Sequence, residues 1–256
     1  MNYTLITGAG SGIGAALAKR CAAEGFNLIL LGRNEEQIRD LKASLLEHHH
    51  IIVQTLVLDL LSPDAAAYVH KKCHQEGWVV RILINNAGLG QWGMFEQLSV
   101  DEMREMLQLN QSVLVELCHF FIPMLKEVPY AHILNVASTA AFQPTPYFSV
   151  YAASKSFTLS FSQSLRYELR GSKVNVSCLC PGPTDTPFFD KVGFDMVNYA
   201  KGAIMQPKEV ADVAIRGLME KKAIIVPGFS NSIGAMLSRH FPRKWMVGLI
   251  GKFFKP

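Results

Sequence analysis

A short apolar strand that runs straight into Thr7-Gly8-Ala9-Gly10-Ser11-Gly12-Ile13-Gly14 leaves this chain few folds to choose from. Glycines let the backbone turn sharply and approach an anion closely, and the helix that follows offers that anion free N–H groups and the positive end of its dipole. The spacing is Gly-x-x-x-Gly-x-Gly rather than the commoner Gly-x-Gly-x-x-Gly. Taken alone, it therefore also fits a purely structural bend or a loop for some other nucleotide.

The rest of the chain decides the context. Apolar runs at residues 3–7, 27–31, 51–58, 81–84, 132–137, 173–180 and 223–226 read as strands. Amphipathic stretches at 12–24, 35–46, 63–75, 101–126, 150–169 and 207–221 read as helices between them. The strands are continuously apolar rather than alternating, which marks a sheet covered on both faces. The β-α-β alternation implies parallel pairing with right-handed crossovers. The expectation is an α/β, three-layer doubly wound fold over residues 1–256 as a single domain, since no repeat or linker divides the chain.

Composition closes off several classes. A hydrophobic fraction of 49% with 18% charged residues argues against disorder. The net charge of +4 comes without a basic block of the kind that tracks nucleic acid. The five cysteines, Cys21, Cys73, Cys118, Cys178 and Cys180, are irregularly spaced. They suggest a reducing compartment, with Cys178 and Cys180 as core residues on one strand face. His48-His49-His50 stands without other ligand types, so no metal site is expected. The N-terminus lacks a signal-like segment, and no run reaches the roughly 18 apolar residues of a membrane span; a cytoplasmic protein is the expectation.

Several side chains then gain chemical meaning. An acidic residue about 20 positions past the glycines would grip ribose hydroxyls, but here Gly32-Arg33 occupies that slot. A guanidinium at a strand tip suits a ribose 2′-phosphate, which favours NADP(H) with NAD(H) as the alternative. Asp59 ends the third strand and either receives an adenine amino group or caps the next turn. Asn85-Asn86-Ala87-Gly88 follows the fourth strand, where small residues let a ligand pass and the amides can tie strands together. Tyr151 and Lys155 stand one helical turn apart, where an ammonium would lower the phenol's pKa toward a useful range. Ser138 ends the fifth strand, at the sheet edge where ligands bind. Asn110 lies inside the long central helix, either buried and satisfied or holding a water that links Lys155 to solvent.

With these pieces in hand the chain resembles the short-chain dehydrogenase/reductases along nearly its whole length. The matching residues are Thr7-Gly8…Gly12-Ile13-Gly14, Asp59, Asn85-Asn86-Ala87-Gly88, Asn110, Ser138, Tyr151…Lys155 and Pro181-Gly182…Thr186. The resemblance implies a Rossmann fold with a seven-stranded parallel sheet and a catalytic tetrad of Asn110, Ser138, Tyr151 and Lys155. In that scheme Ser138 positions the substrate oxygen, Tyr151 transfers the proton, Lys155 lowers the Tyr pKa and binds the nicotinamide ribose, and Asn110 holds the relay water. The cofactor would meet Gly8, Ser11, Gly12, Ile13, Gly14, Arg33, Asp59, Leu60, Asn86, Ala87, Gly88, Tyr151 and Lys155, with Pro181, Gly182, Thr184 and Thr186 at the nicotinamide. The family also implies a homodimer or homotetramer built on the two long helices. One departure is Ser11, where many NADP-using relatives carry a basic residue, so cofactor preference rests on Arg33.

On the substrate side, residues 186–205 are expected to form a lid. Its Phe188, Phe189, Phe194 and Ile204 would join Trp92, Phe95, Phe142, Pro144, Tyr147 and Phe148 around an apolar pocket, with about half of these residues going instead to core or subunit contacts. A hydrophobic ketone, an acyl chain or a steroid-like alcohol would suit it. The C-terminal extension, 229–256, is basic and amphipathic; capping the cleft or packing in an oligomer is favoured over peripheral membrane contact. Two other function classes stay open. A methyltransferase would leave Tyr151 and Lys155 without a role, and a non-catalytic dinucleotide sensor is disfavoured by the complete tetrad.

Overall fold

Seven parallel strands lie in the order β3-β2-β1-β4-β5-β6-β7 in the computed structural model, which describes residues 1–194, 204–240 and 243–255. They are β1 (Asn2–Thr7), β2 (Asn27–Gly32), β3 (Val53–Val57), β4 (Val79–Asn85), β5 (Ala131–Val136), β6 (Val174–Leu179) and β7 (Ile224–Ile225). The chain steps outward from β1 to β3, returns to place β4 against β1, then steps outward the other way. The β1/β4 junction is therefore the switch point, and the crevice above its carboxyl ends is where such sheets hold ligands.

Helices cover both faces: α1 (Gly12–Ala23), α2 (Glu35–His48), α3 (Ala65–Gln75), α4 (Val100–Leu107), α5 (Leu114–Glu127), α6 (Ser149–Glu168), α7 (Pro187–Val192), α8 (Pro207–Met219), α9 (Phe229–His240) and α10 (Arg243–Phe254). Strand alternation sends Leu5, Ile29 and Leu31 into one core with Phe121 and Leu117 of α5 and Val69 of α3. Their neighbours Ile6, Leu28 and Leu30 enter the opposite core with Leu17 of α1, Ile38 of α2 and Leu218 of α8. Both side-chain sets are buried, which is why the strands read as continuous apolar runs.

Three local expectations needed revision. The stretch expected as one helix over 101–126 is α4 and α5 joined by a wide π turn, Gln108–Val113, with Asn110 inside it. Its rim is held by the Thr158 hydroxyl donating to the Asn110 carbonyl oxygen at 3.4 Å. The third helix begins two residues later than expected because Asp64 adopts a left-handed φ of 54°. The weakly patterned segment after residue 186 contains a short helix, α7, with Pro187 at its first position and Gly193 at φ 74° ending it. The remainder of the expected lid, residues 195–203, lies outside the described residues.

Candidate active site

The strand ends and the loops after them enclose one cavity of about 1080 Å³. Its lining takes in Gly8, Ser11, Gly12, Ile13, Arg33, Asp59, Leu60, Asn86, Ala87, Gly88, Ser138, Tyr151, Lys155, Pro181, Gly182, Thr184 and Thr186. Residues up to 178 positions apart in sequence, Gly8 and Thr186, thus share one wall only because parallel strands end together. Of the catalytic and cofactor-binding residues expected from the sequence, Gly14 and Asn110 do not line it, and both act from behind.

The dinucleotide end is shaped by close backbone approach. Gly8 and Gly12 sit at φ 64° and 53°, a region that side chains rarely adopt. A Cβ on Gly14 would overlap the Gly8 carbonyl oxygen and lie 2.5 Å from Asn86 Nδ2, so this glycine is there for packing. The Asn86 amide donates to the carbonyl oxygens of Thr7 and Gly8 at 3.0 and 3.2 Å, pinning the glycine turn to the end of β4. Thr7 Oγ1 accepts from the N–H groups of Asn86 and Ala87 at 2.9 and 3.0 Å. Ser11 caps α1 without a side-chain bond to the helix, and the first turn of α1 holds no acid, whereas α2 opens with Glu35 and Glu36. An anion placed there meets unopposed N–H groups, so the turn fits a pyrophosphate. Exposed Arg33 stands at the tip of β2 on the same cavity wall. Of the two roles open to Asp59, the structure displays the capping one: Oδ1 accepts from the Leu61 N–H at 3.0 Å.

The chemical end is built on α6. Tyr151 and Lys155 share one face, with Lys155 Nζ 5.7 Å from the Tyr151 ring centre. Lys155 is buried and donates to the Val136 carbonyl oxygen at 3.0 Å. Burial pulls its pKa from 10.5 down to about 8, against a smaller upward pull from Cys178 and Cys180. Burial also pushes the Tyr151 phenol up to about 12, and its hydrogen bond with Ser138 opposes the rise. Burial is thus the largest cause of both shifts, and the lysine's hydrogen-bond partner is a backbone carbonyl rather than the phenol. Ser138 Oγ also accepts from the Ala140 N–H at 3.1 Å, which fixes the hydroxyl in the cleft.

Of the two readings open for Asn110, the structure displays the satisfied one. Its Oδ1 accepts from the Leu89 N–H and its Nδ2 donates to the Leu89 carbonyl, both at 2.9 Å, with a further bond to Ser154 Oγ at 3.0 Å. The side chain is engaged on both ends, so it clamps the loop after β4. That loop must stay slim, because a Cβ on Gly88 would come within 3.2 Å of Lys155 Nζ. Beneath it runs a buried polar chain: Asn85 Nδ2 donates to Asn135 Oδ1 at 2.9 Å, and Asn135 Nδ2 to Ser162 Oγ at 2.9 Å. The chain ties β4, β5 and α6 to one another.

Above Tyr151 the cavity wall is aromatic. Trp92, Phe148, Phe188, Phe189, Phe194 and Phe254 line it, with Phe148 and Phe188 in ring contact with Tyr151 at 6.0 and 5.5 Å. Five of the expected wall residues do not line it, among them Ile204, which packs against the Phe148 and Phe194 cluster. Phe95 is 60% exposed, and Phe142 packs in a separate cluster with Ala141 and Leu159. Pro144 and Tyr147 also lie off the wall, the latter in a turn with φ 65°.

Sequence reasoning passed over several contributors, among them Gln143 and Thr145, which line the cavity, and Asn231 of α9, which presses on Gly182 while donating to the Pro227 carbonyl at 2.9 Å. The C-terminal helix delivers a further contact, since the Trp92 indole N–H donates to the Phe254 carbonyl oxygen at 2.9 Å across 162 residues. No local pattern marks these positions; only their meeting in space does.

The family model for short chain dehydrogenases matches residues 2–196. The chain is 37% identical to sulfoacetaldehyde reductase 2 of Chromohalobacter salexigens over 189 residues, covering 73% of this chain and 74% of the relative. It resembles the structure of a short-chain dehydrogenase from Sphingobium yanoikuyae in complex with NADPH, with a TM-score of 0.84 at 30% identity over 96% of this chain and 95% of the other. The bulky-bulky ketone specific alcohol dehydrogenase of Comamonas testosteroni aligns with a TM-score of 0.80 at 27% identity, over 94% and 92% of the two chains.

Proposed function

The chain belongs to the short chain dehydrogenase family and is an oxidoreductase for which a nicotinamide dinucleotide is the cofactor; on that premise we propose that it interconverts a bulky apolar ketone and its secondary alcohol, preferring NADP(H) to NAD(H). The observation that carries the reading is the placement of Tyr151. Tyr151 shares the cavity wall with Ser138, Lys155 and the glycine turn, and its ring meets the aromatic wall at Phe148 and Phe188. When bound, the dinucleotide supplies or accepts the hydride.

The chain's own residues do the rest. Ser138 Oγ, fixed by the Ala140 N–H, orients the carbonyl oxygen of the substrate toward Tyr151. Tyr151, protonated at neutral pH because burial raises its pKa to about 12, gives its proton to that oxygen during reduction. Lys155 holds a cationic ammonium beneath the site below pH 8 and stabilises the phenolate left behind. Asn110 acts as a positioning residue by fixing the Leu89 backbone. The residues suited to the cofactor are Gly8, Ser11, Gly12 and Ile13 for the pyrophosphate, Arg33 for a 2′-phosphate, and Pro181, Gly182, Thr184 and Thr186 beside the nicotinamide.

The aromatic wall excludes water and favours a large apolar substituent over a small polar one. The partly exposed stripe of Phe157 and Phe161 on α6, stacked at 6.0 Å, suits contact with a second copy in a dimer or tetramer. The test is turnover of a ketone panel with NADPH and NADH, together with Tyr151→Phe. That variant should lose about 10²–10⁴-fold in turnover with NADPH affinity kept. Normal turnover by Tyr151→Phe refutes the assignment, and tight NADPH binding without turnover of any carbonyl favours a sensor.

A further inference from the structure

The C-terminal helices have a second face that the cleft does not use. Inward, Ala235 and Ile250 are buried, Asn231 presses on Gly182 and Phe254 reaches the cleft. These contacts fix how α9 and α10 lie and therefore what they present outward. The outward residues are apolar: Phe229 is 84% exposed and Trp245 77%, with Met236 and Leu249 more than half exposed. Seven of the eighteen exposed large hydrophobic side chains among the described residues fall in these two helices. On α10, Trp245, Leu249 and Lys252 recur at helical spacing on one face, opposite Ile250 and Phe254.

Charge is just as unevenly distributed. Past Glu220 the sequence has seven Lys or Arg and no Asp or Glu, while the first 220 residues carry 18 Lys or Arg against 21 Asp or Glu. The +4 of the whole chain thus hides a mildly acidic body joined to a cationic end. Lys244, Lys252 and Lys255 are exposed beside Trp245 and Leu249.

We propose that this outer face of α9 and α10 docks on an anionic lipid bilayer. An apolar, cationic helix flank with an exposed indole matches the chemistry of that surface, where tails receive Trp and Leu and acidic headgroups receive Lys. A second copy is a poor cover for it, because a two-fold contact brings the same cationic patch against itself. None of the described helices is long and apolar enough to cross a membrane, so the contact is peripheral. This inference does not depend on the reaction assigned above.

The experiment is co-sedimentation of the full chain with vesicles of phosphatidylcholine alone and of phosphatidylcholine with one-third phosphatidylglycerol, at low and high salt. Binding is expected on the anionic vesicles only, weakened by salt. The double variant Lys244→Glu/Lys252→Glu should weaken it by roughly several hundredfold, at about fivefold for each of the four units of charge lost in two reversals. Leu249→Ser should weaken it with all charges kept. Unchanged thermal melting of the variants separates lost docking from lost folding. Absence of binding, equal binding to neutral vesicles, or full binding by the double variant overturns the proposal. So does a lipid-free dimer that Leu249→Ser alone dissolves, or poly-glutamate binding tighter than the vesicles.

Discussion

Replacing Lys155 with methionine should make the protein more stable at neutral pH while removing its chemistry. The Lys155 ammonium is buried with a single backbone acceptor, the Val136 carbonyl, and burial lowers its pKa from 10.5 to about 8. At roughly 1.4 kcal/mol per pH unit, that gap corresponds to about 3 kcal/mol of destabilisation of the folded, cofactor-free protein. The sign follows from proton linkage. Between pH 8 and 10.5 the unfolded chain binds the proton and the folded one does not, so stability rises with pH across that window. Below pH 8 both states carry the proton and the full penalty stands. Methionine has similar length and no charge; it loses the bond to Val136, worth about 1 kcal/mol. The net gain at pH 7 is about 2 kcal/mol, a rise of roughly 4–8 °C in Tm for a domain of this size. The gain should shrink as pH climbs through 8 to 10.5 and disappear above it. Thermal melts of both proteins without cofactor, at pH 7, 8, 9 and 10, check this. A variant less stable than the parent at pH 7, or a Tm difference that ignores pH, refutes the idea that an unpaired buried charge is held here for function.

Three further outcomes follow from the same geometry. Arg33→Ala should weaken NADPH binding about tenfold to a hundredfold, as expected for losing a charge-assisted contact, and leave NADH binding nearly unchanged in calorimetric titrations; an equal loss for both removes Arg33 from the 2′-phosphate. Gly14→Ala should destabilise by about 1–3 kcal/mol or more and lower affinity for both dinucleotides, because its Cβ has no room against the Gly8 carbonyl and the Asn86 amide. A melt and a binding curve like the parent's would show that the turn can yield. Phe254→Ala should raise KM for bulky aryl ketones by roughly tenfold, the value of part of a buried ring, and spare small aliphatic ones; equal effects on both would mean that the C-terminal helix only braces the fold.

The periodicity of the apolar runs fixed the parallel sheet before any coordinates, because a strand buried on both faces has no polar side to alternate with. Leu5 and Ile6 are adjacent and face opposite cores, and nothing but a two-sided sheet accommodates both. The same local legibility holds for Gly8 and Gly12, whose backbone conformations are a property of their own residues, and for Tyr151 and Lys155, whose shared face follows from helical spacing. Tertiary packing decided the rest. Whether an ammonium tunes a phenol depends on what else surrounds both, and here both groups are buried and the ammonium is bonded to the Val136 carbonyl. Asn110 became a clamp because the Leu89 backbone happens to pass it, and the substrate wall acquired Phe254 because the chain's last helix returns to Trp92. Sequence determines short-range geometry, where covalent connection limits the options; it leaves open which distant groups meet, since that depends on how every layer of the core settles against the next.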